Sequence, residues 1–194
     1  MATISIGFRT QLDEAAEPTD EALAIAARTD MEAFAALYRR NVDGIFRYCL
    51  RRLGTREAAE DATAQTFERV LRTIVRFRGG SFPAWLYTIA RNTTIDVLRR
   101  NRFVAPLPER FDPIDVTANP EHEVVARAQA EWVRSLLMIL NGDQREVIEL
   151  RLAGLSNDEI GRVLGKRSGA VRMLSHRAYR HLRTYLDEKG YRHE

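Results

Sequence analysis

The amino-acid sequence predicts an all-α protein of two small helical domains joined by an extended linker, the second of them a helix-turn-helix domain. Three observations support this prediction. Apolar residues recur every three to four positions along most of the 194-residue chain, which is the period of an amphipathic helix. Four prolines and three carboxylates interrupt that period between residues 104 and 120. Finally, a capping box followed by a glycine turn lies within residues 155–183.

The composition sets the expected domain boundaries. They are a flexible N-terminus at residues 1–18, a helical domain at 19–103, a Pro-rich acidic linker at 104–120, a helix-turn-helix domain at 121–187 and a tail at 188–194. Prolines lack an amide donor and the acidic side chains repel one another, so the linker is expected to be extended.

The first two helices are predicted from capping residues. A short helix should begin at Thr19 or Asp20, and a longer one, capped by Asp30, should end at Gly54. The single cysteine, Cys49, lies in the apolar stripe of the longer helix. We therefore expect no disulfide and a packing role for this thiol.

Thr55 is expected to cap the third helix, which runs to about Phe77. Its predicted buried side consists of Phe67, Val70, Leu71 and Ile74. A polar line with spacings of four, three and four occupies another side, formed by Asp61, Gln65, Glu68 and Arg72. By itself such a line indicates only a solvated helix face.

A predicted loop at residues 76–83 precedes the fourth helix, because Gly79 and Gly80 free the backbone and Pro83 suits a first helical turn. The inward side of this helix is predicted to be Trp85, Leu86, Ile89, Thr93 and Val97. Eight arginines and one carboxylate lie between residues 69 and 103, interleaved with Phe77, Phe82, Trp85 and Tyr87. Cations and aromatic faces together indicate a surface for single-stranded nucleic acid. The alternative, that these aromatic side chains belong to the core, is favoured for Trp85 and stays open for Phe77 and Phe82.

The C-terminal domain should begin with a helix from Glu121 to Leu140. Its predicted inward residues are Val125, Ala128, Trp132, Leu136 and Ile139. A short helix capped by the pair Asp143 and Glu146 should follow and stop at Gly154.

The helix-turn-helix is predicted from residues 155–183. Ser156 and Glu159 form a capping box, Gly165 permits a turn through a positive φ, and Ser168 is expected to cap the second helix. The apolar side of that helix is predicted to be Val171, Leu174, Ala178, Leu182 and Tyr185. The opposite side carries Gly169, Arg172, Met173, His176, Arg180 and Arg183.

Charge in this segment has a single sign. Between Gly161 and Tyr185 there are seven cations and no carboxylate. A one-sign face beside a tight helical turn predicts a polyanion partner, duplex DNA. The alternative of a basic surface on an ordinary helical hairpin leaves the coincidence of turn, cap and cations unaccounted for.

Catalytic residues, metal ligands and cofactors are not predicted. The four histidines show no ligand spacing with one another or with Cys49. No apolar run approaches the ~18 residues of a membrane span, and residues 1–16 lack the pattern of a signal peptide. We therefore expect a cytoplasmic protein with no membrane insertion.

Four segments carry a family resemblance: EDATAQTF at residues 60–67, FPAWLYTIARNTTIDVLRR at 82–100, DQREV at 143–147 and RAYRHL at 177–182. In this order they resemble the signature segments of the extracytoplasmic-function (ECF) group of bacterial RNA polymerase sigma factors, in the sigma-70 family. The resemblance covers roughly residues 19–183. It implies a promoter-specificity subunit whose partners are core RNA polymerase and promoter DNA, with an anti-sigma protein as candidate regulator.

The resemblance also implies roles for particular residues. Docking on the beta-prime clamp helices of the polymerase would use Asp61, Gln65 and Glu68. The beta subunit of the polymerase is a further expected partner. Capture of the −10 single strand would use Phe77, Arg78, Gly79, Gly80, Ser81, Trp85, Arg91, Asn92, Arg99 and Arg100. Recognition of the −35 duplex would use Arg172, Met173, His176 and Arg177 on bases and Arg167, Ser168 and Arg180 on phosphates.

The chain departs from the family pattern at Ala170, where Thr is usual, at Met173, where Ser is usual, and at Asn141-Gly142, where Leu-Pro is frequent. The preferred −35 sequence therefore does not follow from the resemblance. Two rival functions predict different behaviour. A stand-alone helix-turn-helix regulator would bind specific DNA tightly without polymerase, and a nucleic-acid-processing enzyme would turn over DNA or RNA.

Overall fold

A computed structural model describes residues 17–102 and 131–190 of the chain, and its regular elements in these ranges are all helical. The helices are α1 (Asp20–Ala26), α2 (Met31–Leu53), α3 (Arg56–Thr73), α4 (Phe82–Arg102), α5 (131–138), α6 (Gly142–Leu152), α7 (Asn157–Leu164) and α8 (Ser168–Glu188). A 3₁₀ turn, Ile74–Arg76, continues α3. The all-α prediction is confirmed. The predicted linker, and Val125 and Ala128 of the helix expected from Glu121, lie outside the described residues.

The predicted capping residues begin the first three helices, and the predicted glycine ends the second. Thr19 and Asp30 accept backbone N–H groups of α1 and α2 through their side chains, and Thr55 does so for α3. Gly54 ends α2 with a φ of 88°, a conformation that strongly favours glycine. These three helices therefore have the N-terminal signals expected from the sequence.

The core of the N-terminal half lies between α2, α3 and α4. Tyr48, Phe82 and Leu86 are fully buried there. The apolar side chains of Phe82 and Leu86 each contribute roughly 1.5–3 kcal/mol through removal of apolar surface from water. Cys49 is also fully buried, and burial raises the pKa of its thiol to about 11. The packing role predicted for Cys49 is confirmed.

Two details of α3 differ from the prediction. The α-helix ends at Thr73 instead of near Phe77, because the chain tightens into the 3₁₀ turn that leads to the glycine loop. Leu71, predicted to be buried, is 41% exposed. Val70 and Ile74 point into the core. Leu71 follows Val70 and is rotated by about 100° around the helix axis, so its side chain points away from the core.

Helix α5 is rotated relative to its predicted face. Leu137 and Leu140 are buried against Ile148 and Ala178, and Trp132, predicted to point inward, is 45% exposed. The contacts made by the two leucines turn the tryptophan side of the helix towards solvent.

The caps of α6 and α8 are also corrected. Asn141 caps α6 by accepting the Gln144 N–H at 3.0 Å, so Asp143 lies inside the first turn and pairs with Lys166 at 3.0 Å. The N-cap of α8 is Arg167, whose side chain makes no capping bond. Ser168, predicted to be the cap, is instead the first residue of α8.

Both halves of the chain contribute to one hydrophobic cluster. Val147, Leu150 and Ile160 of the C-terminal half are buried together with Tyr48 and Phe82 of the N-terminal half. Helix α4 packs against α7, and α2 packs against α6. The two halves are therefore in direct contact. Across the described ranges, no helix has both the length and the apolar character that crossing a membrane requires.

Candidate nucleic-acid interface

The loop between the 3₁₀ turn and α4 forms one wall of an open pocket. Gly79 and Gly80 have φ values of 94° and 89°, which only glycine adopts readily, and this conformation turns the chain back into α4. The pocket has a volume of about 810 Å³, within the range of small-ligand sites. Its lining consists of Glu21, Arg76, Phe77, Arg78, Gly79, Gly80, Ser81, Ala84, Trp85, Thr88 and Arg162.

Hydrogen bonds fix the start of α4 beside this pocket. Ser81 caps the helix, because its Oγ accepts the Ala84 N–H at 3.1 Å. Glu21 of α1 accepts the Phe82 N–H at 3.1 Å through Oε1. A carboxylate at a helix N-terminus is favoured by the helix dipole, so α1 stabilises the loop from the side. No sequence motif marks Glu21 for this position.

The aromatic residues near the loop form a rigid floor. Phe77 and Phe82 pack edge to face with ring centroids 5.9 Å apart, and Trp85 lies 5.5 Å from Phe77. Phe77 is 3% exposed and Phe82 is fully buried, whereas Trp85 is half-buried. For Phe77 and Phe82 the sequence leaves open whether the rings stack on nucleic acid or pack in the core. Their burial places both in the core. Trp85, for which a core position was favoured, is the aromatic residue of the three that reaches the surface.

The basic residues of α4 differ in their surroundings. Asn92, Arg99 and Arg100 are exposed, and Arg100 donates to Gln65 Oε1 at 3.3 Å. Arg91 is half-buried and donates to Glu146 Oε2 at 2.9 Å. The single carboxylate of this basic segment, Asp96, pairs with Arg69 at 3.1 Å, a cation on the neighbouring helix.

The polar line predicted on α3 is present as a surface. Asp61 and Glu68 are exposed, Gln65 is half-buried, and Glu68 pairs with Arg72 one helical turn away. Leu71 and Val75, which the sequence pattern does not place on this surface, are 41% and 50% exposed. The polar line on α3 therefore continues into exposed apolar side chains, a combination suited to a protein partner.

The helix-turn-helix has the predicted internal geometry. Ser156 and Glu159 make both bonds of the capping box, and Gly165 turns the chain with a φ of 63°. Gly161 allows the closest approach of the turn: a Cβ there would lie 2.6 Å from the Lys166 carbonyl oxygen. A glycine at this point lets the backbone of the turn pack directly on α7.

The two sides of α8 are separated as predicted. Val171 and Ala178 are fully buried. Ser175, which the sequence does not predict on the apolar side, is also buried, with 5% exposure. The residues predicted to contact bases are all exposed, with Met173 56% exposed. They are Arg172, Met173, His176 and Arg177. Of the predicted phosphate contacts, Arg167 and Arg180 are exposed and Ser168 is half-buried.

Two family models match the chain. One is described as Sigma-70 region 2 and matches residues 37–104, which include α3, α4 and the glycine loop. The other is described as Sigma-70, region 4, and matches residues 130–182, which include the helix-turn-helix.

Curated relatives match over both halves. The chain is 38% identical over 164 residues to the ECF RNA polymerase sigma factor BldN of Streptomyces coelicolor, covering 82% of this chain and 62% of BldN. It is 32% identical over 182 residues to the ECF RNA polymerase sigma factor SigE of Mycolicibacterium smegmatis, covering 88% and 70%. It is 34% identical over 162 residues to the RNA polymerase sigma factor CarQ of Myxococcus xanthus, covering 81% and 91%.

Solved structures share the fold. CnrH in complex with the cytosolic domain of CnrY gives a TM-score of 0.69 at 26% identity, covering 87% of this chain and 97% of CnrH. The sigma factor RpoE of Bartonella quintana, in complex with the anti-sigma factor NepR, gives a TM-score of 0.62 at 20% identity, covering 80% and 98%. The latter likeness concerns the fold alone.

Proposed function

Because the chain belongs to the ECF RNA polymerase sigma factors, we propose that it binds core RNA polymerase and directs transcription initiation to specific promoters. In this proposal it recognises the −35 element as duplex DNA and captures the −10 element as a single strand. The observation that carries the proposal is the presence of two basic surfaces of different shape in one chain. One is the exposed face of α8, and the other is the pocket beside the glycine loop.

The exposed face of α8 suits the major groove of a duplex. A groove about 12 Å wide admits one α-helix, and arginine reads guanine through two parallel hydrogen bonds. We assign base contacts to Arg172, Met173, His176 and Arg177, whose side chains are exposed on one side of the helix. Arg167, Ser168 and Arg180 are assigned to phosphates, which position the helix without reading sequence.

The loop pocket suits a single strand with an unstacked base. We assign its wall to residues 77–81 and Trp85, and the strand's phosphates to Arg91, Asn92, Arg99 and Arg100. Phe77 supports the wall from beneath, since its ring is buried. Flipping a base costs a few kcal/mol, and a preformed basic surface offsets that cost through binding. The proposed role therefore requires no catalytic residue.

The exposed line on α3 is assigned to the polymerase. Asp61, Gln65 and Glu68 would dock on the beta-prime clamp helices, and Leu71 and Val75 would extend the contact. These residues and the proposed −10 residues lie on adjacent helices, linked by the bond from Arg100 to Gln65. Docking would therefore place the single-strand surface at a defined position on the polymerase.

An anti-sigma protein is the proposed regulator. The structural relative CnrH was solved in complex with a second protein, the cytosolic domain of CnrY. We place the protein in the cytoplasm because core RNA polymerase, its proposed partner, works there.

Transcription in vitro tests the proposal directly. Core RNA polymerase is incubated with and without the full chain on a library of upstream sequences, and the 5′ ends of the transcripts are sequenced. We expect start sites that occur only with the chain, and their upstream sequences define the promoter motif. Unchanged start sites, together with failure to co-elute with core polymerase, would overturn the proposal. Tight sequence-specific binding by the isolated chain would instead support the stand-alone regulator.

A further inference from the structure

Three carboxylates of the C-terminal half point into the N-terminal half. The most buried is Glu149 of α6, whose side chain has no solvent exposure. It accepts hydrogen bonds from Arg52 Nη1 of α2 at 2.7 Å and from Arg145 Nε at 2.9 Å. A buried carboxylate is tolerated only when it is paired, so Arg145 of the same helix and Arg52 of the N-terminal half together stabilise Glu149 in the packed structure.

The second carboxylate, Glu146, joins α6 to two helices of the N-terminal half. It lies 3.3 Å from Arg52 and 2.9 Å from Arg91 of α4. The side chains of Arg52 and Glu146 are 11% and 17% exposed, so solvent screens these pairs only weakly. Burial disfavours the charge on Arg52, yet Tyr48, Glu149 and Glu146 raise the pKa of Arg52 above its ordinary value.

The third carboxylate, Glu159 of α7, reaches the glycine loop. It accepts the Ser81 hydroxyl at 2.7 Å through Oε1 while its Oε2 accepts the Ser156 N–H at 2.8 Å. Arg162, one turn further along α7, lines the loop pocket. Helix α7 therefore lies against the pocket proposed for the flipped base.

We propose that Glu146, Glu149 and Glu159 form an electrostatic latch that holds the free protein closed, with the carboxylate of Glu146 on Arg91 in place of a DNA phosphate. In the closed arrangement Arg91 and Ser81, both assigned to the −10 strand, are bonded to the protein itself. The −10 strand and the latch therefore compete for the same groups, and domain separation must precede full −10 capture. The inference rests on the proposed function in naming the strand that Arg91 binds.

The polar groups at the contact between the two halves lower the free-energy cost of separating them. The ionic groups at this contact lose hydration on closure, and the desolvation penalty of such pairs offsets much of their mutual attraction. Within the described part of the chain, Tyr48 Oη, Arg52 Nε and Arg91 Nε are buried without a hydrogen-bond partner. Each such group adds a cost to the closed arrangement. When the halves separate, the charged groups at the contact regain water. This gain offsets part of the stabilisation that the closed arrangement takes from the apolar residues buried between the halves, among them Val147, Leu150 and Ile160.

Substitution of Arg52 gives a test in which the latch and simple charge make opposite predictions. R52Q removes a cation, which by itself weakens binding to a polyanion. It also removes the partner shared by Glu146 and Glu149, which opens the latch. Arg52 is not among the residues assigned to DNA. We therefore expect R52Q to bind fluorescein-labelled oligothymidylate more tightly than the wild type, by up to about tenfold if roughly one wild-type molecule in ten is open.

The full-length variants are compared by fluorescence anisotropy without polymerase and by small-angle X-ray scattering. R52Q is expected to show a larger radius of gyration together with its tighter binding. The matched control is R39Q, which removes a cation from the exposed intrahelical pair with Glu32 and should bind as the wild type or slightly more weakly. A second variant, E146Q/E149Q, should behave as R52Q does. Its control is E32Q/E60Q, which removes two carboxylates from exposed pairs.

Circular dichroism checks that helix content is retained, and E146Q/E149Q decides the matter should R52Q lose it. The latch is overturned if the folded variants match the wild type in radius of gyration and bind oligothymidylate no more tightly than their controls. Transcription with core polymerase is scored separately. Chain-dependent start sites combined with unchanged oligothymidylate binding would remove the latch and leave the proposed function intact.

Discussion

The hydroxyl of Ser81 donates a 2.7 Å hydrogen bond to Glu159 Oε1, joining the cap of α4 to the cap of α7 across 78 residues of chain. Each residue also caps its own helix, since Ser81 accepts the Ala84 N–H and Glu159 accepts the Ser156 N–H. One bond thus couples the glycine loop to the start of the helix-turn-helix.

This arrangement predicts a pH-dependent contribution of Glu159 to stability. Burial by itself would raise the pKa of Glu159, but hydrogen bonds from Ser156 and Ser81 and the charge of Arg162 lower it below the ordinary value of 4.5. A carboxyl group with a lowered pKa in the folded state stabilises that state above its ordinary pKa. The contribution is lost as the pH falls through the lower, folded-state pKa.

We therefore expect E159Q to lower the free energy of unfolding at pH 7 by roughly 1 kcal/mol, the usual size of a capping interaction. The difference from the wild type should shrink as the pH falls below 4.5. Denaturant unfolding followed by circular dichroism at several pH values measures it. A difference of the same size at all pH values would show that the charge of Glu159 is unimportant.

The close packing of the turn on α7 predicts that Gly161 tolerates no side chain. A Cβ at this position would lie 2.6 Å from the Lys166 carbonyl oxygen, and overpacking of this kind costs about 1–3 kcal/mol. G161A should therefore lower the melting temperature even though alanine has the higher helix propensity. G169A is the matched control, because a Cβ at Gly169 meets no atom within 4 Å. An unchanged or higher melting temperature for G161A would contradict this account of the turn.

The sequence predicted the local features of the fold well, because they depend on residues close together in the chain. The caps at Thr19, Asp30 and Ser156 and the glycine turns need only neighbouring residues. The errors concern choices that tertiary contacts decide. Asp143 and Asn141 are both acceptable N-caps, and only the structure shows which one is used. The sequence predicts a capping pair that includes Glu146, because the observed partner Arg52 is 94 residues away and neighbouring residues do not reveal it.

The candidate surfaces were predictable to different degrees. The exposed face of α8 followed from helical period and charge. The roles of the aromatic residues did not, because an aromatic run beside a glycine loop fits both a stacking surface and a core. The packing of Phe77 against Phe82 and Trp85 depends on how the loop folds back on α4. Glu21 and Arg162 reach the pocket from helices distant in sequence, and no motif marks them.

The assignment of Asp61 to polymerase docking predicts a loss of association on charge reversal. Asp61 is exposed on α3, so D61R should leave the fold unchanged while placing a cation at one end of the proposed contact. We expect D61R to fail to co-elute with core polymerase in size-exclusion chromatography and to keep its helical circular dichroism. The control is D43R, the same change at an exposed position of α2, which should co-elute normally. Normal co-elution of D61R would remove this part of α3 from the docking surface.

The two classes of contact assigned to α8 predict different effects of removing an arginine. Arg177 is assigned to a base, so R177A should cost about 1–3 kcal/mol at particular −35 positions and relax selectivity there. Arg180 is assigned to a phosphate, so R180A should weaken all promoters nearly equally and reduce the slope of binding against salt concentration by about one. Transcription on a library of −35 sequences, at several salt concentrations, measures both. Since both side chains are exposed on the same helix, each variant is the control for the other. Unchanged selectivity in R177A would move Arg177 from the base contacts to the phosphate contacts, and a sequence-dependent effect of R180A would move Arg180 in the opposite direction.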